Sequence, residues 1–203
     1  MAKTLYYVAD PMCSWCWGFQ PVLNKLKKAL PKDISPVYVM GGLARDSDEP
    51  MPDEIRGYVQ NAWREVTETT GATFNWDFWE KCEPRRSTYP SCRAFYAAQI
   101  QGKGVAMFEA IQRAYYQEAR NPSDVETLGA LAGELGLDTT KFEKDLLSPK
   151  IEQQMQDGFN IRRSMNANEF PSLVVRDGDQ VTFVVRGYDH ADTAIARFKS
   201  VWL

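Results

Sequence analysis

The sequence predicts an α/β fold in which a mixed parallel and antiparallel sheet is interrupted by a long all-helical insertion. Three observations carry this reading. A short β-prone run, Thr4–Ala9, precedes a helical stripe and a second β-prone run at residues 34–40, and a β-α-β order forces a parallel pair. From about residue 43 to 150 the apolar pattern is almost wholly helical. The β signal then returns as two runs around Asp177-Gly178-Asp179, a turn type that joins antiparallel strands.

Each element has its own signal. After Asp10-Pro11, apolar residues fall at Cys16, Phe19, Leu23, Leu26 and Leu30, the 3-4-3-4 spacing of one helix face. Lys25, Lys27 and Lys28 lie near its C-terminus, where cations suit the dipole, and Pro31 stops it. Gly41-Gly42 ends the second strand. Pro52 suits a helix start, and Ile55, Tyr58, Val59, Ala62, Trp63 and Val66 mark one face. Further helices are predicted at about 91–101, 105–120, 124–136 and 139–147, with Ser123 and Asp138 as N-caps and Gly136 as a stop. Pro149 opens a helix reaching about residue 166. Strands follow at Ser172–Arg176 and Val181–Val185, and Asp189 or Asp192 caps a last helix with Ala194, Ile195 and Phe198 inward. Without the helical block the order β-α-β … α-β-β-α is of thioredoxin type. The expected division is residues 1–42 and 149–203 as the thioredoxin-like domain and 43–148 as the inserted helical domain, whose core holds Trp63, Trp76, Phe78 and Trp79.

With 203 residues, 44% of them hydrophobic, the chain can bury a sizeable core. A formal charge of −3 gives no basic excess for nucleic acid. Leu5–Ala9 is too short for a leader core, and no run approaches the ~18 apolar residues of a membrane span. The expectation is a cytoplasmic protein with no membrane and no nucleic-acid partner. Nothing in the sequence specifies an oligomeric state. The four cysteines, Cys13, Cys16, Cys82 and Cys92, are too few for a secreted disulfide scaffold.

Cys13-Ser14-Trp15-Cys16 sits where a strand hands over to a helix. Free amide N–H groups and the helix dipole there favour a Cys13 thiolate, while Cys16 falls in the apolar stripe and should be covered. An exposed nucleophilic thiol beside a covered partner suits disulfide exchange: Cys13 attacks and Cys16 resolves. Two readings compete. Half of a zinc site lacks a second CxxC, and His190 is the only histidine. Structural cysteines would not need the strand before, the helix after and Pro171 ahead of the third strand. A cis Phe170–Pro171 bond facing the CxxC is expected from this context. Cys82 and Cys92 are close enough in sequence for an accessory disulfide, though helical placement would hold them apart.

The segment from Asp10 to Phe19, Asp-Pro-Met-Cys-Ser-Trp-Cys-Trp-Gly-Phe, resembles the active-site segment of DsbA-like proteins of the FrnE type. That superfamily includes 2-hydroxychromene-2-carboxylate isomerases and kappa-class glutathione transferases. Ser87-Thr88 and the following Cys92-Arg93-Ala94 resemble its Asn-Thr motif, and Gly187-Tyr188-Asp189-His190 its Gly-x-Asp-Arg segment. Ser14, Ser87 and His190 depart from the family's proline, asparagine and arginine.

The resemblance implies a dithiol–disulfide oxidoreductase with Cys13 and Cys16 catalytic. Ser14, Trp15, Phe170 and Pro171 would contact substrate, and Asp10, Ser87, Thr88 and Asp189 would be accessory. No metal and no resident cofactor are implied; partners would be protein thiols or disulfides, or glutathione as co-substrate. Trp15 is read as an apolar contact for a client, against simple packing. Asp10 is read as shaping the Asp-Pro turn or capping the helix, against proton transfer near Cys16. Arg85-Arg86 is read as a solvated pair, or as a carboxylate contact beside Ser87-Thr88. Met40-Gly41-Gly42 is read as a turn, against admitting a ligand backbone. Two alternatives stand beside the enzyme: a glutathione-dependent transferase or isomerase, and a non-catalytic adaptor, such as the bacterial protease adaptor that delivers the regulator Spx on this fold.

Overall fold

The computed structural model describes residues 3–202. Strand β1 (Thr4–Ala9), helix α1 (Ser14–Ala29) and strand β2 (Val37–Met40) come first. Six helices follow: α2 (Asp53–Thr70), α3 (Phe78–Lys81), α4 (Tyr89–Ile100), α5 (Gly104–Gln117), α6 (Val125–Glu134) and α7 (Thr139–Leu146). Then come α8 (Pro149–Ser164), β3 (Ser172–Asp177), β4 (Gln180–Arg186) and α9 (Ala191–Trp202). The sheet order is β2-β1-β3-β4, parallel between β1 and β2 and antiparallel elsewhere. This is a thioredoxin-like fold with helices inserted between β2 and α8, the predicted class.

Strand alternation decides which residues meet which layer. Leu5, Tyr7 and Ala9 of β1 point to the face covered by α1, α9 and the inserted helices. There Tyr7 stands 6.2 Å from Phe19 of α1 and 6.3 Å from Phe108 of α5, ring centre to ring centre. Val8, Val39 and Val174 point to the other face, against Met165 and Ala167 just beyond α8. The insertion also closes on α1 at Gly18. A Cβ there would stand 2.7 Å from Val66 Cγ1 and 2.9 Å from Thr70 Oγ1, so only glycine lets α2 approach this near.

Some local expectations differ from the structure. β2 starts at Val37 because Pro36 has no N–H, and the Ile34 amide turns back to the Pro31 carbonyl. Ser123 does not cap α6; its hydroxyl donates to the Ser87 carbonyl at 2.7 Å, and Asp124 occupies the cap position. Asp138 caps α7 as expected, accepting from the Lys141 amide at 2.9 Å. Tyr58 is 66% exposed, since α2 turns Val59, Trp63 and Val66 inward and leaves Tyr58 on the solvent side. Trp76 is 40% exposed rather than core; it lies against the edge of Trp63.

Candidate functional site

Cys13 is the N-cap residue of α1, its amide bonded to the Asp10 carbonyl at 3.0 Å. Its thiol faces the Phe170 carbonyl at 3.7 Å, so the loop before β3 meets the cysteine pair across 157 residues of sequence. The Phe170–Pro171 bond is cis. Cys16 is fully covered, as its place in the apolar stripe requires; burial, then the adjoining Cys13, pushes its thiol well above the ordinary range. Cys13 is 7% exposed, contrary to the expected open thiol, because Phe170 and the flanking cavity walls cover it. The glycines after β2 admit rings of this chain, not a ligand. A Cβ on Gly41 would meet the Phe170 ring at 2.8 Å, and one on Gly42 would meet Phe159.

Asp10 is the polar centre behind the pair. Its carboxylate is fully buried and accepts from the Met12 amide at 2.9 Å, the Leu43 amide at 2.8 Å and the Thr88 hydroxyl at 2.9 Å. The Cys92 thiol adds a contact at 3.6 Å. Burial raises the Asp10 carboxyl, and the bonds from Leu43, Met12, Thr88 and Cys92 oppose that rise. The carboxylate therefore pins the β1–α1 turn to the start of the insertion, and its first bond is the Asp-Pro turn contact the sequence suggests. Thr88 also receives the Ala44 amide at 3.1 Å, and Ser87 Oγ receives the Ser47 amide at 3.2 Å. Both hydroxyls are buried and used internally. Cys82 Sγ faces the Ala119 carbonyl at 3.0 Å, so Cys82 and Cys92 look to different partners and are not bonded to each other.

Beside the pair lies a cavity of about 350 Å³. The thioredoxin part lines it with Cys13, Trp15, Asn168 and Phe170; the insertion lines it with Tyr58, Trp63 and Arg86. Trp63 backs onto an aromatic cluster behind this wall, with Phe74 at 4.8 Å, Trp79 at 5.0 Å and Tyr116 at 5.6 Å between ring centres. Trp17 stacks on Tyr116 at 5.7 Å and joins this cluster to α1. The indole N–H groups of Trp63 and Trp79 and the Tyr116 hydroxyl have no hydrogen-bond partner among the described residues.

The structure thus brings Cys13, Ser14, Trp15 and Phe170 to one cavity rim, with Cys16, Pro171 and Asp10 buried behind it. Ser87 and Thr88 stand in the second layer as ties. Asp189 accepts from the His190 amide at 2.8 Å and from Arg197 at 2.6 Å, so it orders the start of α9. Of Arg85-Arg86, Arg85 pairs with Asp124, while Arg86 lines the cavity with no carboxylate partner among the described residues. Tyr58, Trp63 and Arg162 escaped the sequence reading as cavity-side residues. Arg162 lies over the Phe170 ring at 5.6 Å, a contact no local pattern announces.

Comparison with known proteins places this geometry in a family. A family model described as thioredoxin matches residues 6–195, and the chain belongs to that family, a member of the thioredoxin/DsbA-like fold superfamily. The chain is 26% identical over 173 residues to the ClpXP adapter protein SpxH of Bacillus subtilis, covering 83% of this chain and 56% of that protein. It is 28% identical over 173 residues to the Bacillus cereus protein of the same name, covering 83% of this chain and 58% of that protein. The chain thus spans little more than half the length of the curated relatives it matches. Among solved structures, a Nitrosomonas europaea chain provisionally described as a protein disulfide isomerase superposes with a TM-score of 0.86 at 28% identity, covering 98% of this chain and 97% of that one. The cytosolic disulfide reductase DsbM of Pseudomonas aeruginosa, also solved with glutathione, superposes with a TM-score of 0.77 at 24% identity, covering 98% of each chain. That second likeness speaks to the fold alone.

These relatives correct the expected activity. A dithiol–disulfide oxidoreductase with redox-active cysteines, acting on protein thiols, disulfides or glutathione, is overturned by relatives that carry the name of protease adapters. The physical reason is that the motif reports the fold rather than turnover. A strand–CxxC–helix junction builds the same rim whether a bound protein is chemically changed or only held. Among the described residues no helix is long and apolar enough to cross a membrane.

Proposed function

We propose that the chain is a client-holding adaptor, presenting a bound protein to a ClpXP-type protease without changing it. The observation that carries this is the repeated match of most of the chain to proteins named as ClpXP adapters. The site supports it physically. A cavity of about 350 Å³ takes one or two side chains, and its walls come from both the sheet end and the insertion, so a bound segment contacts both parts. Within the superfamily we place the chain beside the FrnE-type proteins on the strength of residues 10–19.

The test is protein turnover in cells lacking the chain. Client half-lives lengthen there, and both the natural protein and the Cys13→Ser/Cys16→Ser double variant restore them. Restoration by the natural protein alone would mean that thiol chemistry, not holding, is the function. Half-lives that never change on deletion would remove the adaptor reading altogether.

A further inference from the structure

Resting on the adaptor reading, we infer that the client segment is acidic: an apolar side chain enters the cavity beside Cys13, and flanking carboxylates meet a run of arginines that starts at Arg86 and continues past Phe170. The run is built from residues far apart in sequence. Arg86 lines the cavity. Arg162 covers the Phe170 ring and donates to Asn168 at 3.1 Å, and both of those residues line the same cavity. Arg163 follows in the chain, and with Arg45 and Tyr89 it lines a neighbouring depression of about 430 Å³. Arg45, Arg86, Arg162 and Arg163 have no carboxylate within 4.0 Å among the described residues.

The acidic groups lining the depression are already paired, whereas Glu65, in the main cavity, is not paired among the described residues. Asp46 and Glu152 also line the depression, but both are held by Arg93, at 2.5 Å and 3.2 Å. Glu65 lines the main cavity from α2. Burial and the charge of Arg163 both lower the Arg162 guanidinium, and a carboxylate brought beside it relieves the second effect. On a chain of net charge −3, arginines without carboxylate partners along the cavity and the neighbouring depression are a local excess of positive charge. Guanidinium groups pair with carboxylates through two parallel hydrogen bonds, so they favour an acidic chain over a merely polar one.

The experiment uses the full chain and three fluorescent peptides of about ten residues, each with one central leucine. One carries aspartate and glutamate flanks, one lysine and one glutamine. Anisotropy titration at low salt should rank the acidic peptide first, and raising ionic strength from about 0.05 to 0.5 M should weaken it about tenfold. An Arg45→Gln/Arg163→Gln variant changes two exposed side chains and should weaken the acidic peptide about fivefold while leaving the glutamine peptide unchanged. Equal binding of acidic and lysine peptides, or no response to the double variant, overturns the inference. So does tighter binding of a single-stranded oligonucleotide, or equal displacement of the peptide by inorganic phosphate. The two readings fail separately. Peptide ranking without any effect on client half-lives sinks the adaptor function and keeps the acidic site; client turnover that ignores the arginines does the reverse.

Discussion

Two buried regions stand behind the cysteine rim, and they are built on opposite principles. Around Asp10, both carboxylate oxygens are used, by two backbone amides, one hydroxyl and one thiol. Around Trp63, six aromatic side chains pack closely, yet three polar atoms in the cluster have no partner among the described residues. Both regions join the thioredoxin part to the insertion. The first does so by directional bonds and fixes geometry. The second does so by area and shape, and it supports the cavity wall through Trp63. A buried polar group is costly when left unmade and modest in net value when satisfied, so the two regions should answer mutation in opposite ways.

Replacing Asp10 with alanine is the strongest test. It leaves the Met12 and Leu43 amides and the Thr88 hydroxyl facing apolar space, and about 3 kcal/mol of stability should be lost in urea unfolding. A loss under about 1 kcal/mol would mean that water replaces the carboxylate freely and the region is not the rigid knot described.

Gly18→Ala probes the joint itself. Its Cβ would press on Val66 and Thr70, and overpacking of this kind costs about 1–3 kcal/mol. Thr88→Val keeps the shape and removes one bond to Asp10 and the acceptor of the Ala44 amide, for a loss of about 1–2 kcal/mol. If Thr88→Val proves neutral, Asp10 alone carries the tie.

Acid should act through Asp10 with a definite sign. Burial raises its carboxyl in the folded protein, so the folded state holds the proton more tightly than the unfolded one. The Asp10 contribution is therefore greatest below the unfolded value of about 3.9 and declines as pH rises through the raised folded value. Unfolding curves of natural protein and Asp10→Asn should converge or cross as pH climbs from 4, since the amide does not titrate. A natural protein that gains stability relative to Asp10→Asn as pH rises in that range would reverse the assignment.

The smallest effect is expected in the other region. Tyr116→Phe removes a buried hydroxyl that has no partner, and stability should stay within about 0.5 kcal/mol. A loss above about 1.5 kcal/mol would show that this hydroxyl is satisfied after all and that the contrast with Asp10 is false.

What the sequence alone determined is local or periodic. The strand–CxxC–helix junction, the burial of Cys16, the antiparallel pair around Gly178 and the helical character of the insertion all follow from spacings within a few residues. The cis Phe170–Pro171 bond was legible only through the fold context, since a trans proline serves equally well ahead of most strands. What only the tertiary structure decided are the meetings of residues far apart in the chain. Asp10 meets Thr88 across 78 residues, and the aromatic wall joins Trp63 to Tyr116. Arg162 comes over Phe170 because α8 ends beside the loop that leads into β3. Tyr58 looked like core by its spacing and proved exposed, since a helix face is fixed by what packs against it. Function followed the same division. The cysteine spacing announced the rim, but whether a rim transforms its partner or holds it depends on coverage, charge and cavity shape, which are properties of surfaces assembled from distant segments.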